Sequence, residues 1–171
     1  MEHVISIGGI EPESIVDGPG FRYAVFVQGC FFRCPGCHNP RLQPLAGGRP
    51  VPVGELVAAI KANPLLAGLT LSGGDPFTQP IPCAALAEAV KALGLSVMIY
   101  TGYLWEDLLA ANNPEWLRLI KAADILVDGP FIQAQKDIGL RFRGSANQRL
   151  INVPRSLEEG KVVLEKSEET I

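Results

Sequence analysis

Long apolar runs are missing from this sequence: no stretch among its 171 residues approaches the roughly 18 that cross a membrane as a helix. Met1 to Gly9 holds no basic region followed by an apolar one, so no secretory leader is read there. Charge of one sign is also scarce. Charged residues make up only 19% and the formal net charge is -3, so nothing draws the whole chain to phosphate polymers or anionic lipid. The expectation is a cytoplasmic protein with no nucleic acid and no membrane as partner. No internal repeat with a period of roughly 20 to 50 residues is found, which excludes solenoids. Cysteine is sparse, at four residues, and three of these (Cys30, Cys34 and Cys37) fall close together while Cys83 stands alone. Clustered thiols in a reducing compartment suggest metal or redox chemistry more than a disulfide scaffold.

What is present is a core. Hydrophobic residues reach 47%, with 18 Gly and 14 Pro, the composition of buried elements joined by tight turns. At roughly 100 to 200 residues per domain, the length predicts one domain. Strand-like and helix-like runs alternate. Arg22 to Gln28 reads as a strand ending at Gly29-Cys30, and a Gly/Pro-rich connector (Pro44 to Pro52) leads to a helix near Gly54 to Ala62. Leu69 to Ser72 reads as a strand and Ile81 to Leu93 as a helix ended by Gly94. Leu95 to Tyr100 and Asp124 to Val127 read as further strands, separated by helices at Leu104 to Ala111 and Pro114 to Ala122. Strand, turn and helix in series predict βαβ units, a mainly parallel sheet and a ligand site at the strand carboxyl ends. Four of those ends carry Gly-rich or Cys-rich breaks: Gly29-Cys30, Gly73-Gly74-Asp75-Pro76, Thr101-Gly102 and Asp128-Gly129-Pro130. Ile138 to Pro154 is irregular and basic, and Ser156 to Ile171 is charged and mixed, with one strand expected over Lys161 to Glu165.

Cys30-Phe31-Phe32-Arg33-Cys34-Pro35-Gly36-Cys37 has the spacing C-x3-C-x2-C. Thiolates are soft ligands, suited to zinc or to iron-sulfur clusters. A fully ligated [4Fe-4S] cluster takes four cysteines, so three leave one iron open to a small molecule. A structural zinc using His38 or a distant fourth ligand is the alternative, and it would make the chain an interaction module. Gly73-Gly74-Asp75-Pro76 lets backbone approach a small polar ligand closely, or simply turns the chain into the next helix. Phe21, Phe26, Phe31 and Phe32 are either apolar walls beside the cysteines or ordinary packing. Arg143 and Arg149 fit a carboxylate, an acidic partner or a solvated edge equally well. Asp128 is a strand-end ligand or a turn former, and Cys83 reads as a small buried hydrophobe.

Cys30 to Cys37 followed by His38-Asn39-Pro40, with Gly73-Gly74-Asp75-Pro76 downstream, resembles the radical S-adenosylmethionine enzymes and, more closely, their glycyl-radical activating branch. Val16-Asp17-Gly18-Pro19-Gly20, Tyr100-Thr101-Gly102-Tyr103, the run from Ile125 to Phe131 and the run from Phe142 to Arg149 are similar to the activating proteins of anaerobic ribonucleoside-triphosphate reductase. The resemblance covers about Gly8 to Val153 and implies an incomplete (β/α) barrel. It implies that Cys30, Cys34 and Cys37 are both the catalytic and the metal-binding residues, holding three irons of a [4Fe-4S] cluster. The fourth iron would be chelated by S-adenosyl-L-methionine. Gly36, Cys37 and His38 would contact its nucleoside end, and Gly74, with Gly73 and Asp75 beside it, would hold its amino group. In such enzymes the reduced cluster cleaves the cofactor to a 5'-deoxyadenosyl radical, which takes hydrogen from a glycine of the partner. The implied partners are the large subunit of anaerobic ribonucleoside-triphosphate reductase and a low-potential electron donor such as flavodoxin or ferredoxin. Another glycyl-radical enzyme, or a nucleotide-like metabolite, is the alternative substrate. The expected organisation is a partial-barrel domain over residues 1–155 and a C-terminal extension over 156–171.

Overall fold

A computed structural model describes residues 2–166 of the protein. Seven strands, β1 (Val4–Ser14), β2 (Arg22–Val27), β3 (Arg49–Pro52), β4 (Gly68–Gly73), β5 (Ser96–Tyr100), β6 (Ile125–Asp128) and β7 (Arg149–Asn152), form one sheet in the order β3-β1-β2-β4-β5-β6-β7. The four central strands β2, β4, β5 and β6 run parallel. Antiparallel pairings flank them: β1 with β2 and β3 on one side, and β7 with β6 on the other. Among the described residues the sheet ends at β3 and β7 without closing, which makes the architecture an incomplete (β/α) barrel. No helix among those residues is long and apolar enough to cross a membrane.

The helices α1 (Val53–Lys61), α2 (Pro80–Ala92), α3 (Trp105–Ala110), α4 (Pro114–Lys121) and α5 (Val153–Glu159) cover one face. Side chains alternate across a strand, so Val25, Leu71, Ile99 and Leu126 point to that layer, where they join Leu56, Leu86, Leu108 and Ile120 in the main core. Each such side chain contributes roughly 1.5–3 kcal/mol by leaving water. The alternate positions Met98, Val127 and Leu150 form a second, smaller cluster with Tyr100 and Phe142. On that inner side Arg22 is almost wholly buried. Its guanidinium donates to Thr70 Oγ1 at 2.9 Å, Ser96 Oγ at 2.8 Å and the Leu69 carbonyl at 2.7 Å. Burial lowers its pKa to about 10, leaving it charged at neutral pH. Thr70 in turn donates to the Asp17 carbonyl at 2.7 Å, so the Asp17-Gly18-Pro19-Gly20 turn is pinned across the sheet.

The expected central strands and the first four helices are present with ends displaced by one or two residues. Three strands and one helix are additional to those read from the sequence. β1 contains Gly8, Gly9 and Pro12, residues that disfavour a regular strand; register shifts at Ile7/Gly9 and Glu11/Ser14 absorb them. β3 forms inside the Gly/Pro connector because it lies at the sheet edge, where proline's missing donor is tolerated. β7 occupies the end of the basic stretch read as irregular, and α5 runs from there into the charged C-terminal segment, with the Asn152 side chain accepting from Arg155 N–H at 3.1 Å as the helix cap. Lys161 to Glu165, expected as a strand, makes one isolated bridge, Ile151 to Leu164. The remainder of the expected C-terminal extension, residues 167–171, lies outside the described residues.

Candidate functional site

The breaks after β2, β4, β5 and β6 converge on one pocket of about 370 Å³, lined by Cys30, Cys34, Cys37, Gly73, Gly74, Asp75, Thr101, Gly102 and Gly129. His38 also lines it, stacked at a tilt on Phe131 with ring centres 5.1 Å apart. Gly36 does not line it; a β-carbon there would stand 3.0 Å from the Gln133 side chain.

The cysteine segment is a closed excursion from the end of β2. Gly29 N–H donates to the Leu42 carbonyl at 2.7 Å and Cys30 N–H to the Gln43 carbonyl at 3.0 Å, so both ends of the loop are tied together. Within it, Cys37 N–H reaches the Cys34 carbonyl at 3.1 Å across Pro35 and Gly36. Gly36 has φ +76, and proline followed by a positive-φ glycine is the type II turn pattern, which sets Cys34 and Cys37 at the two ends of one turn. Phe32 anchors the loop on the end of β5. Its ring meets Tyr103 edge-on at 4.8 Å and lies over Gly102, where a β-carbon would stand 2.7 Å from the ring. Phe26 and Phe32 line the pocket, whereas Phe21 and Phe31 do not and are exposed.

The three cysteines are free and half-buried. Burial, reinforced by Asp75 and the other two thiols, pushes the Cys30 thiol up to about 11, against a lowering contribution from the Phe32 N–H 3.4 Å from its sulfur. A positive metal centre reverses that balance, because binding requires the thiolate and releases the proton. Among the described residues no three His, Cys, Asp or Glu side chains close around a single ion. A cluster takes one thiolate on each of several irons, and all three cysteines line the one pocket.

Gly73 and Gly74 owe their lack of side chains to β2. A β-carbon on Gly73, whose φ is +123, would stand 2.4 Å from Val27 N, and one on Gly74 would stand 2.3 Å from the Gly29 carbonyl oxygen. Side-chain space at both positions is filled by the backbone of β2 and the first residue of the cysteine loop. The Asp75 carboxylate accepts from Phe77 N–H at 3.0 Å, Gly102 N–H at 2.9 Å and the Thr101 hydroxyl at 3.0 Å, which ties the end of β4 to the end of β5.

Burial raises Asp75 from the ordinary carboxylate value of 3.8 to about 6, even though these donors lower it. An acid whose folded pKa is raised stabilises the fold fully below its unfolded pKa, and that contribution is lost as pH rises through the folded one. At about 1.4 kcal/mol per pKa unit, the metal-free protein is expected to lose on the order of 2 kcal/mol of stability between pH 4 and pH 7 from this group. Urea titrations at both pH values check it: Asp75→Asn is expected to remove this part of the slope, and a variant with the wild-type slope would refute the assignment.

The pocket also takes residues from the basic stretch, among them Arg143, for which the sequence left a carboxylate ligand, a partner contact or a solvated edge open. The segment containing Phe142, Arg143 and Gly144 folds back over the site. Gln148 holds it there, accepting from Gly144 N–H at 2.9 Å and donating to the Gly129 carbonyl at 3.0 Å. Arg143 lines the pocket and donates to the Gln148 carbonyl at 3.0 Å. Arg149 is not on the pocket wall; it is partly exposed on the edge strand β7. It pairs with the buried Asp128 and with Glu106, which raises its pKa further through hydrogen bonds to both. Asp128 also accepts from Trp105 N–H at 2.8 Å, starting α3, so its role exceeds that of a turn former. Cys83 is wholly buried in the core, where burial pushes its thiol pKa far up.

A model of the 4Fe-4S single cluster domain family matches residues 16–151. Anaerobic ribonucleoside-triphosphate reductase-activating proteins are similar over most of their length. That of Salmonella typhi is 37% identical over 145 residues, covering 80% of this chain and 92% of its own. That of Escherichia coli K12 is 34% identical with the same coverage, and that of Enterobacteria phage T4 is 32% identical over 82% of this chain and 90% of its own. Among solved structures, QueE from Escherichia coli aligns over 58% of this chain and 52% of its own, with TM-score 0.45 and 18% identity. The chain therefore belongs to the anaerobic ribonucleoside-triphosphate reductase-activating protein family and carries its 4Fe-4S single cluster domain.

Proposed function

We propose that this protein is a radical S-adenosyl-L-methionine enzyme that activates anaerobic ribonucleoside-triphosphate reductase by creating a glycyl radical on its large subunit. The observation that carries the reading is the shared pocket, in which three thiols face a glycine-rich strand end at the carboxyl side of a parallel sheet. Cys30, Cys34 and Cys37 would hold three irons, leaving the fourth open to the cofactor. Gly36, Cys37 and His38 would bind its nucleoside end, and the backbone at Gly73, Gly74 and Asp75 its amino acid end. When bound, cluster and cofactor supply one-electron reductive cleavage and removal of a hydrogen atom from a partner glycine.

The protein's own residues do the rest. Phe26 and Phe32 give the pocket apolar walls, and Asp75 holds the β4 and β5 ends at a set spacing. Val16, an apolar residue lining the pocket, is 72% exposed at its mouth. A carbon radical needs water excluded, and a protein substrate seated on that mouth supplies the missing cover. The same reading puts the protein in the reducing cytoplasm, served by a low-potential electron donor such as flavodoxin or ferredoxin, with no nucleic-acid or membrane partner. It also treats residues 1–155 as the partial-barrel domain and 156–171 as an extension, with the junction inside α5.

The test is anaerobic mixing of the dithionite-reduced, cluster-loaded protein with the large subunit and S-adenosyl-L-methionine. A glycyl-radical signal by electron paramagnetic resonance, with 5'-deoxyadenosine released in step, is expected. A cluster-loaded protein that releases 5'-deoxyadenosine with no radical on that subunit would sink the assignment of partner.

A further inference from the structure

Charge is distributed unevenly along this acidic chain. It has 18 Asp and Glu residues, yet none between Asp17 and Glu55, and the intervening segment carries Arg22, Arg33, Arg41 and Arg49. Arg22 is buried beneath the sheet, but Arg33, Arg41 and Arg49 are exposed. Among the described residues none of these three guanidiniums joins an ion pair. Arg33 lies between Cys30 and Cys34. Arg41 sits in the short 3-10 turn Pro40–Leu42 that closes the same excursion, beside Gly8 and Gly9 of β1. Arg49 opens β3 opposite Ile7 of β1. Phe31 and Leu45, exposed at 63% and 60%, lie on the same excursion and its return.

An uncompensated cationic surface on a molecule of net charge -3 is a local feature that attracts an anionic partner surface and steers its approach. Arginine with exposed aromatic side chains is also the composition of protein interfaces. The location narrows the partner. The excursion is the wall that carries all three thiols, so its outer surface is where a second redox protein comes nearest to them. The pocket mouth is needed by the glycine-bearing subunit.

We propose that the outer face of the cysteine excursion, marked by Phe31, Arg33 and Arg41, is the docking surface for an acidic, low-potential one-electron donor protein. This rests on the activase reading above. In the step it serves, the donor is oxidised by one electron and the cluster is reduced by one; no bond is made or broken.

The probe is flavodoxin, a small acidic donor, and the variant is Arg33→Glu/Arg41→Glu. Binding of flavodoxin to the metal-free protein at low ionic strength is expected to weaken at least tenfold, with a flatter salt dependence. Stopped-flow reduction of the cluster by reduced flavodoxin is expected to slow at least tenfold, while reduction by dithionite and the subsequent glycyl-radical yield stay at wild-type level. Arg33→Lys/Arg41→Lys is expected to keep binding. If the double variant loses iron, Arg41→Glu alone, outside the ligand run, carries the test with the same expectations. Unchanged flavodoxin binding and reduction overturn the proposal. So does a dithionite-reduced variant that fails to transfer the radical while flavodoxin still reduces it, since the surface would then serve the large subunit. Failure of the activase reading looks different: wild-type protein, reduced by dithionite, would leave no radical on the large subunit whatever flavodoxin does.

Discussion

Cys34→Ala is expected to bring the iron content from about four per chain to near zero and the glycyl-radical yield on the large subunit to background. Cys34 starts the Cys34-Pro35-Gly36-Cys37 turn, and the bond from Cys37 N–H to its carbonyl uses backbone atoms alone. Alanine keeps that bond and removes only the sulfur. Because Cys34 is only half-buried, the stability of the metal-free chain should change by no more than about 0.5 kcal/mol. Folding and chemistry are therefore separable at this position. Cys83→Ala provides the contrast: its sulfur lies in the core, so the variant should keep iron and activity while losing on the order of 1 kcal/mol of stability. Iron analysis, thermal unfolding and electron paramagnetic resonance on the pair would decide. Wild-type iron and radical yield in the Cys34 variant would show that this thiol is not a ligand.

Gly74→Ala is expected to be nearly as severe by a different route. The added β-carbon would stand 2.3 Å from the Gly29 oxygen and 2.7 Å from the Val27 oxygen, both backbone atoms that cannot rotate away. Relief requires the end of β4 to move from β2, and the atom it pushes belongs to the residue before Cys30. Overpacking of this kind costs about 1–3 kcal/mol. The same movement disturbs the spacing of Cys30 from the glycine-rich edge, so S-adenosyl-L-methionine binding is expected to weaken by more than tenfold. Gly102→Ala should cost less, since its β-carbon meets only the Phe32 ring, which can swing aside. Urea unfolding and equilibrium cofactor binding on both variants rank the two positions. Equal effects, or a harmless Gly74→Ala, would refute the backbone-clash account.

The two glycines also show how far sequence reasoning reached. A Gly-Gly pair at a strand end reads as a place where backbone meets ligand, and the pair does line the pocket. The requirement for glycine there comes as well from the neighbouring strand, whose identity depends on the parallel register of Val27 with Gly73. Asp75 illustrates a different limit. Asp before Pro reads as a helix start, and Asp75 does cap the next turn through Phe77 N–H. Its bonds to Thr101 and Gly102 span 26 and 27 residues and carry no local signature. Arg149 was ambiguous for the same reason. Its partners Asp128 and Glu106 lie 21 and 43 residues away, and an arginine's spacing from acids at that range says nothing about contact. β1 was hidden by its own composition, since Gly8, Gly9 and Pro12 break the alternating pattern that marks a strand while β2 and β3 hold it in place from either side.

Sequence alone determined the features whose physics is local: the strand-helix alternation and the glycine breaks at four strand ends. A turn type follows from a few adjacent residues, and so does a run of apolar side chains. Tertiary structure decided what depends on residues distant in the chain. It put the three thiols and the Gly73-Gly74 edge around one pocket, charged Arg149 with neutralising a buried Asp128, and left Arg33 and Arg41 exposed with no ion pair among the described residues. Spatial proximity between remote segments arises from packing the sheet against its helices, and no local pattern encodes it.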